Sequence, residues 1–277
     1  MTTETPNPPD TVVLIHGLFL NALSWEHWVA RYEARGLTVI AESWPGMEDL
    51  EALRQDASGV EHLGVGEIVD HYDDIIRALD RPPIIIGHSF GGAFTQILLD
   101  RGLGAAGVAI DSGPVKGIRK LPASVLRVGF PVLKNPNNNH RAVELTPEEF
   151  HYAFTNTLTQ EESAAVYERY AAPGPGRVLF QGALANFSPH TPLAVDFKDD
   201  DRAPLLFIAG GEDHTAPASQ NRENVKHYRK SEAITEYKEF PGRSHYTLGQ
   251  EGWEEVADYA LDWAVKASAP TGPGAIA

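Results

Sequence analysis

The chain has 277 residues, 42% hydrophobic and 22% charged, with a formal net charge of −15 and no cysteine. That is the balance of a globular protein long enough for one sizeable α/β core. The acidic excess repels phosphate backbones and anionic lipid, arguing against nucleic-acid and membrane partners, and the missing cysteines exclude disulfides, thiolate catalysis and Cys-type zinc sites.

The first ten residues, MTTETPNPPD, carry neither a basic n-region nor an apolar h-region. Residues 1–10 read as a disordered lead, and a cytoplasmic location is expected. No apolar run approaches the ~18 residues that span a bilayer. Thr11 to Ile15 is a continuous β-branched run, the pattern of a strand buried on both faces. Ser24 can cap a helix whose apolar face holds Trp25, Trp28, Val29 and Tyr32, with Gly36 placed to end it. A second short strand runs over 37–41, and a helix over 66–79 is closed by Pro82-Pro83. Ile84-Ile85-Ile86 is a third strand, broken at Gly87, and helical spacing follows as far as Gly102. Strands are also expected at 107–110, 205–209 and 234–240, the last near a sheet edge, and a closing helix at 253–265. This alternation predicts a mostly parallel central sheet with helices on both faces.

Between 113 and 201 the alternation stops. Thr146-Pro147-Glu148-Glu149 and Thr159-Gln160-Glu161-Glu162 are capping boxes, implying helices at about 147–156 and 160–171, followed by Pro- and Gly-rich loops such as 173–176. The division expected is a core of 11–112 and 202–267, an inserted helical cap at 113–201, and a disordered tail at 268–277. Phe150, Tyr152, Phe154, Tyr167 and Phe187 read either as lid residues lining an apolar pocket or as packing between cap and sheet. Asp196, Asp199, Asp200 and Asp201 read as a solvated turn, because their spacing fits no calcium loop.

Chemistry points to Gly87-His88-Ser89-Phe90-Gly91, a G-x-S-x-G with a strand running in and a helix running out. A sharp strand-to-helix turn needs small residues around the serine, hence Gly87 and Gly91, and lifts the Ser89 hydroxyl above the sheet. A serine hydroxyl is a weak nucleophile and needs a base. His245 lies in the loop after the last strand; His190, His214 and His227 do not follow that strand. The imidazole needs a carboxylate to fix its tautomer. Asp213 lies in the loop at the C-terminal end of the strand before, and the order Ser89, Asp213, His245 suits a parallel sheet with ligands at its C-terminal edge. Asp111 also ends a strand and competes for that role, with Asp213 preferred. The oxyanion donors expected are the N–H groups of Phe90 and Leu18, with Gly17 giving close passage and His16 holding the loop. His88 counts among the structural residues of the site. No phosphate-binding glycine loop or H-E-x-x-H is present, so neither cofactor nor metal is expected.

On these residues the chain resembles the α/β-hydrolase superfamily, in particular small bacterial esterases and the cofactor-free haloperoxidase-like (perhydrolase) branch. The markers are HG at 16–17, WPG at 44–46, GHSFGG at 87–92, GGED at 210–213 and GRSH at 242–245. The resemblance implies an α/β-hydrolase fold and a Ser-His-Asp triad cleaving a small to medium ester or lactone, of the EC 3.1.1 type. A serine at the elbow separates the chain from dehalogenase and epoxide hydrolase branches, which use aspartate there. Two other readings stand beside it: the same triad used for perhydrolysis, amide or C–C cleavage, and a slow or non-catalytic ligand receptor. A small molecule bearing a carbonyl is the expected partner.

Overall fold

A computed structural model describes residues 8–269. Residues 1–7 and 270–277, most of the expected lead and tail, lie outside the described residues. Asp10, assigned to the lead by sequence, is instead held beside the sheet, its carbonyl accepting the Thr38 N–H at 2.8 Å.

Six strands form one parallel sheet: β1 (Thr11–Ile15), β2 (Thr38–Ile40), β3 (Ile84–His88), β4 (Ala106–Ile110), β7 (Leu205–Gly210) and β8 (Thr235–Phe240). Two short antiparallel strands, β5 (Ala142–Val143) and β6 (Gly174–Pro175), stand apart. The sheet order is β2-β1-β3-β4-β7-β8, which places β8 at an edge. Strand β3 does not break at Gly87 but continues through His88, whose partner in the ladder is Ile110. Central strands bury both faces, so their sequences are unbroken apolar runs rather than alternations.

Each face has its own core. On one, Val12, Leu14, Ile86 and Val108 meet α1 (Glu26–Glu33) and α10 (Trp253–Ala267) through Trp25, Trp28, Tyr32 and Leu261. Two of these aromatics satisfy their polar ends, Trp28 Nε1 donating to Leu248 O at 2.9 Å and the Tyr32 hydroxyl to Ala257 O at 2.7 Å, while Trp25 Nε1 is buried without a partner. Burying each such side chain contributes roughly 2–3 kcal/mol. On the other face, Val13, Ile15, Ile85 and Phe207 meet α3 (Val65–Arg77), α4 (Phe90–Asp100) and α9 (Ala218–Tyr228).

Several expectations need correction. Ser24 does not cap α1; Asn21 caps a preceding 3-10 turn over Ala22–Trp25, and the Ser24 hydroxyl donates back to Asn21 O. Helices α2 (Leu50–Gln55) and α9 were missed. Segment 113–201 holds four helices rather than two: α5 (Ala123–Leu133), α6 (Pro147–Phe154), α7 (Gln160–Tyr170) and α8 (Gly176–Leu184). Both capping boxes form and start α6 and α7. Helix α5 escaped detection because it has no side-chain cap and contains Pro131, while α8 starts inside what read as a glycine-rich loop. Phe187 neither packs the cap nor lines a pocket: it is 83% exposed. The acidic cluster forms turns in which Asp196 and Asp199 carboxylates accept the N–H groups of Lys198 and Asp201.

Candidate active site

Strand β3 runs into α4 through Ser89, whose backbone (φ 57°, ψ −121°) lies where side chains are disfavoured. Such a conformation costs about 1–3 kcal/mol and persists only where its surroundings impose it. Here they do. A Cβ on Gly87 would sit 2.0 Å from Gly91 O, and one on Gly91 would sit 2.1 Å from Ile15 O. No larger residue fits either position, so the turn stays tight. Gly17 brings the β1 loop just as close: its Cβ would lie 2.7 Å from the Cβ of Ser89.

His245 Nδ1 donates to Asp213 Oδ2 at 2.7 Å, with both side chains fully buried. The other Asp213 oxygen accepts the N–H groups of Thr215 at 2.6 Å and Ala216 at 2.9 Å, which fixes the carboxylate plane. The opposite ring atom, His245 Nε2, is buried without a hydrogen-bond partner. No hydrogen bond therefore joins it to Ser89 Oγ in this resting geometry; such links are commonly long until substrate is bound. Ser89 itself is 5% exposed.

The two candidate oxyanion donors are unspent. Neither Leu18 nor Phe90 donates its N–H to any acceptor among the described residues, while Ser89 O accepts from Gly92, Ala93 and Gly113. The Leu18 loop is set by His16. Its Nε2 accepts the Trp44 N–H at 2.9 Å, so the ring proton is on Nδ1, which donates to Gly17 O at 2.9 Å. The ring stacks on Trp44 at 4.8 Å. Burial lowers the His16 pKa to about 4.

This carries a pH consequence. His16 stays neutral in the folded chain while the unfolded chain takes up a proton below about 6.5. The folded pKa is depressed, so the stability it supplies is complete above pH 6.5 and is lost as pH falls towards 4. The loss expected over that window is about 3 kcal/mol from this residue. Urea unfolding at pH 7 and pH 4 measures it: His16→Gln flattens the difference, and an unchanged pH slope would refute the assignment.

His88 is neutral too, its pKa held well below the ordinary imidazole value by burial and then by the neighbouring His245. Its Nε2–H donates to His245 O at 2.8 Å, tying the elbow to the loop that carries His245. Nothing in the sequence spacing announced this tie. Nor did it announce that α6 clasps both loops: Tyr246 N–H donates to Phe154 O at 2.8 Å, Thr215 Oγ1 to Ala153 O at 2.6 Å, and the Phe154 ring meets His245 edge-on at 4.9 Å.

Asp111 sits near the pair without bonding to the ring of His245. Its Oδ1 accepts Gly210 N–H at 2.6 Å and its Oδ2 has no partner. Burial, and then the Asp213 charge, hold its carboxyl well above the usual carboxylate range. His190, His214 and His227 do not join the site: His190 is exposed, His214 Nδ1 donates to Tyr152 O, and His227 packs at a tilt against Phe197. One group among the described residues has metal-ligand spacing, His88, Asp111 and His245, with candidate atoms within 4.8 Å of one another. Its members are already committed in part, His88 Nε2 to the His245 carbonyl and Asp111 Oδ1 to Gly210.

A parallel sheet carrying a serine at a strand-to-helix elbow, with a buried Asp–His pair beyond its C-terminal edge, defines a hydrolase-type α/β protein. The chain belongs to the alpha/beta hydrolase family, whose model matches residues 12–259. Among solved structures, it is similar to a monoacylglycerol lipase of Paleococcus ferrophilus (20% identity, TM-score 0.63, 94% of this chain and 96% of that one). It is likewise similar to an extracellular α/β-hydrolase of a Paenibacillus species (21%, 0.65, 94% and 99%) and to a pyrethroid hydrolase of Sphingobium faniae (17%, 0.60, 92% and 96%). At these identities the likeness establishes the fold. No curated protein matches the chain in sequence.

Proposed function

We propose that the protein is a serine hydrolase that cleaves small to medium carboxylic esters or lactones through an acyl-enzyme. The observation that carries this reading is the buried Asp213–His245 pair, whose outer nitrogen has no hydrogen-bond partner and whose loop is tied through His88 to the strained Ser89 elbow. Ser89 Oγ attacks the carbonyl carbon as its proton passes to His245 Nε2. Asp213 holds the ring orientation and stabilises the imidazolium. Negative charge developing on the carbonyl oxygen is met by the N–H groups of Leu18 and Phe90, donors that need no reorganisation because no protein group competes for them. The alcohol departs with the proton from His245, and water then hydrolyses the acyl-enzyme by the same steps. Segment 113–201 acts as the cap that limits substrate size. The names carried by the structural relatives, a lipase, a pyrethroid hydrolase and a polyneuridine aldehyde esterase, support the choice of esters.

The test is a side-by-side measurement on p-nitrophenyl acetate, a β-diketone, and acetate with hydrogen peroxide, with fluorophosphonate labelling of the same preparation. Labelling together with fastest turnover of the ester is expected. Fastest turnover of either other substrate moves the triad to C–C cleavage or perhydrolysis. No labelling and no turnover leaves a receptor.

A further inference from the structure

The net charge of −15 conceals a local reversal. Residues 112–143 carry Lys116, Arg119, Lys120, Arg127, Lys134 and Arg141 and no Asp or Glu, in a chain with 38 acids against 23 Lys and Arg. The same stretch holds α5, whose only polar residues are Ser124 and Arg127 and of which only Gly129 and Val132 are buried. Six large apolar side chains stand exposed among the described residues. Five of them, Leu121, Leu126, Phe130, Leu184 and Phe187, belong to α5, its lead-in and the end of α8, at 53–83% exposure.

These residues share one face. Helix α8 packs on α5. Asn186, beside Phe187, accepts the Gly117 N–H at 2.7 Å and donates to Ile118 O at 2.6 Å, fixing the end of α8 against the lead-in to α5. Leu126, Val128, Phe130 and Pro131 line a shallow cleft of about 480 Å³. The nearby cations are not consumed by carboxylates: the Arg127 guanidinium lies 3.8 Å over the Tyr152 ring and Lys134 faces the Phe130 ring. Acids also lie at the face and keep their charge there. Glu149 caps its own helix at the Thr146 N–H, and Glu223 accepts the backbone N–H groups of Arg119 and Lys120. Glu148 stands on the cleft rim.

We propose that α5 and the end of α8 form a docking face for an anionic lipid surface. Its leucines and phenylalanines enter the boundary between headgroups and acyl chains, and Arg119, Lys120, Arg127 and Lys134 meet the headgroup charge. An apolar helix ringed by cations matches that partner on both counts. A second copy of the chain matches less well, because an isologous contact would bring the basic patch of one copy against the same patch of the other. No described helix is long and apolar enough to cross a membrane, so the face lies on the surface. The total charge of −15 argues against membrane partners, but the stretch 112–143 carries cations and no acid.

The experiment pellets the full chain with vesicles of phosphatidylcholine alone or containing phosphatidylglycerol. About tenfold more binding to the anionic vesicles is expected at roughly 0.1 M salt, falling away near 0.5 M as charges are screened. Leu126→Glu/Phe130→Glu and Lys120→Gln/Arg127→Gln/Lys134→Gln should each abolish the gain while keeping the wild-type far-UV circular dichroism and thermal unfolding. Equal or absent binding to both vesicle types overturns the proposal, as does unchanged binding by both variants. A concentration-dependent dimer in sedimentation, lost in Leu126→Glu/Phe130→Glu, overturns it in favour of self-association. The face does not depend on the esterase reading: failed docking with intact ester turnover removes the face alone, and docking without turnover removes only the activity.

Discussion

Ser89→Ala should lower ester turnover about 10⁶-fold and abolish fluorophosphonate labelling, with the fold intact. The loss is of this size because the substitution removes the atom that forms the acyl bond, and no second nucleophile stands at the elbow. Residual catalysis would come from binding and from the Leu18 and Phe90 donors, which do not depend on the hydroxyl. Stability should change little, since alanine inherits the same left-handed backbone that serine adopts at φ 57°. Glycine should relieve that strain, so Ser89→Gly should unfold at higher urea than Ser89→Ala while being equally inactive. Turnover above about one part in 10³ of wild type in Ser89→Ala would show that the nucleophile lies elsewhere.

The second large effect separates two buried carboxyl groups. Asp213→Asn should reduce turnover about 10⁴-fold. An amide at 213 can turn an N–H towards the ring, stabilising the tautomer in which Nε2 carries the proton and cannot act as base. Asp111→Asn should cost no more than about tenfold. Burial and the Asp213 charge push the Asp111 carboxyl well above the usual carboxylate range, favouring its neutral form, and asparagine is a neutral group of the same shape. The amide oxygen can still accept from Gly210 N–H. Measuring kcat for both variants across pH decides the matter. If Asp111→Asn is the more damaging of the two, the roles assigned to these carboxyl groups are reversed.

Much of the core was legible from local rules. Ile84 to Ile86 spelled a doubly buried strand, and Thr146 and Thr159 each with glutamate three residues on spelled two helix starts. Those signals are confined to a few adjacent residues, so they survive without knowledge of the rest of the chain. Helices α5 and α8 were not legible, because their cues conflict: Pro131 breaks the pattern of one and a glycine-proline run opens the other. What holds them is contact within segment 113–201, of α5 with α8 and α6.

The same division runs through the candidate site. The sequence alone determined the elbow, since the glycines at 87 and 91 answer to clashes within a single turn and with the strand beside it. It also narrowed the partners of Ser89 to a histidine after the last strand and an acid at a strand end. Only the tertiary structure decided which acid meets His245, that His88 ties the elbow to the His245 loop, and that the apolar side chains of α5 stay exposed. Hydrogen bonds of that kind depend on distances between residues 32 and 157 positions apart, and pattern along a chain encodes neighbours within a few residues, not the packing that brings remote groups to within 3 Å.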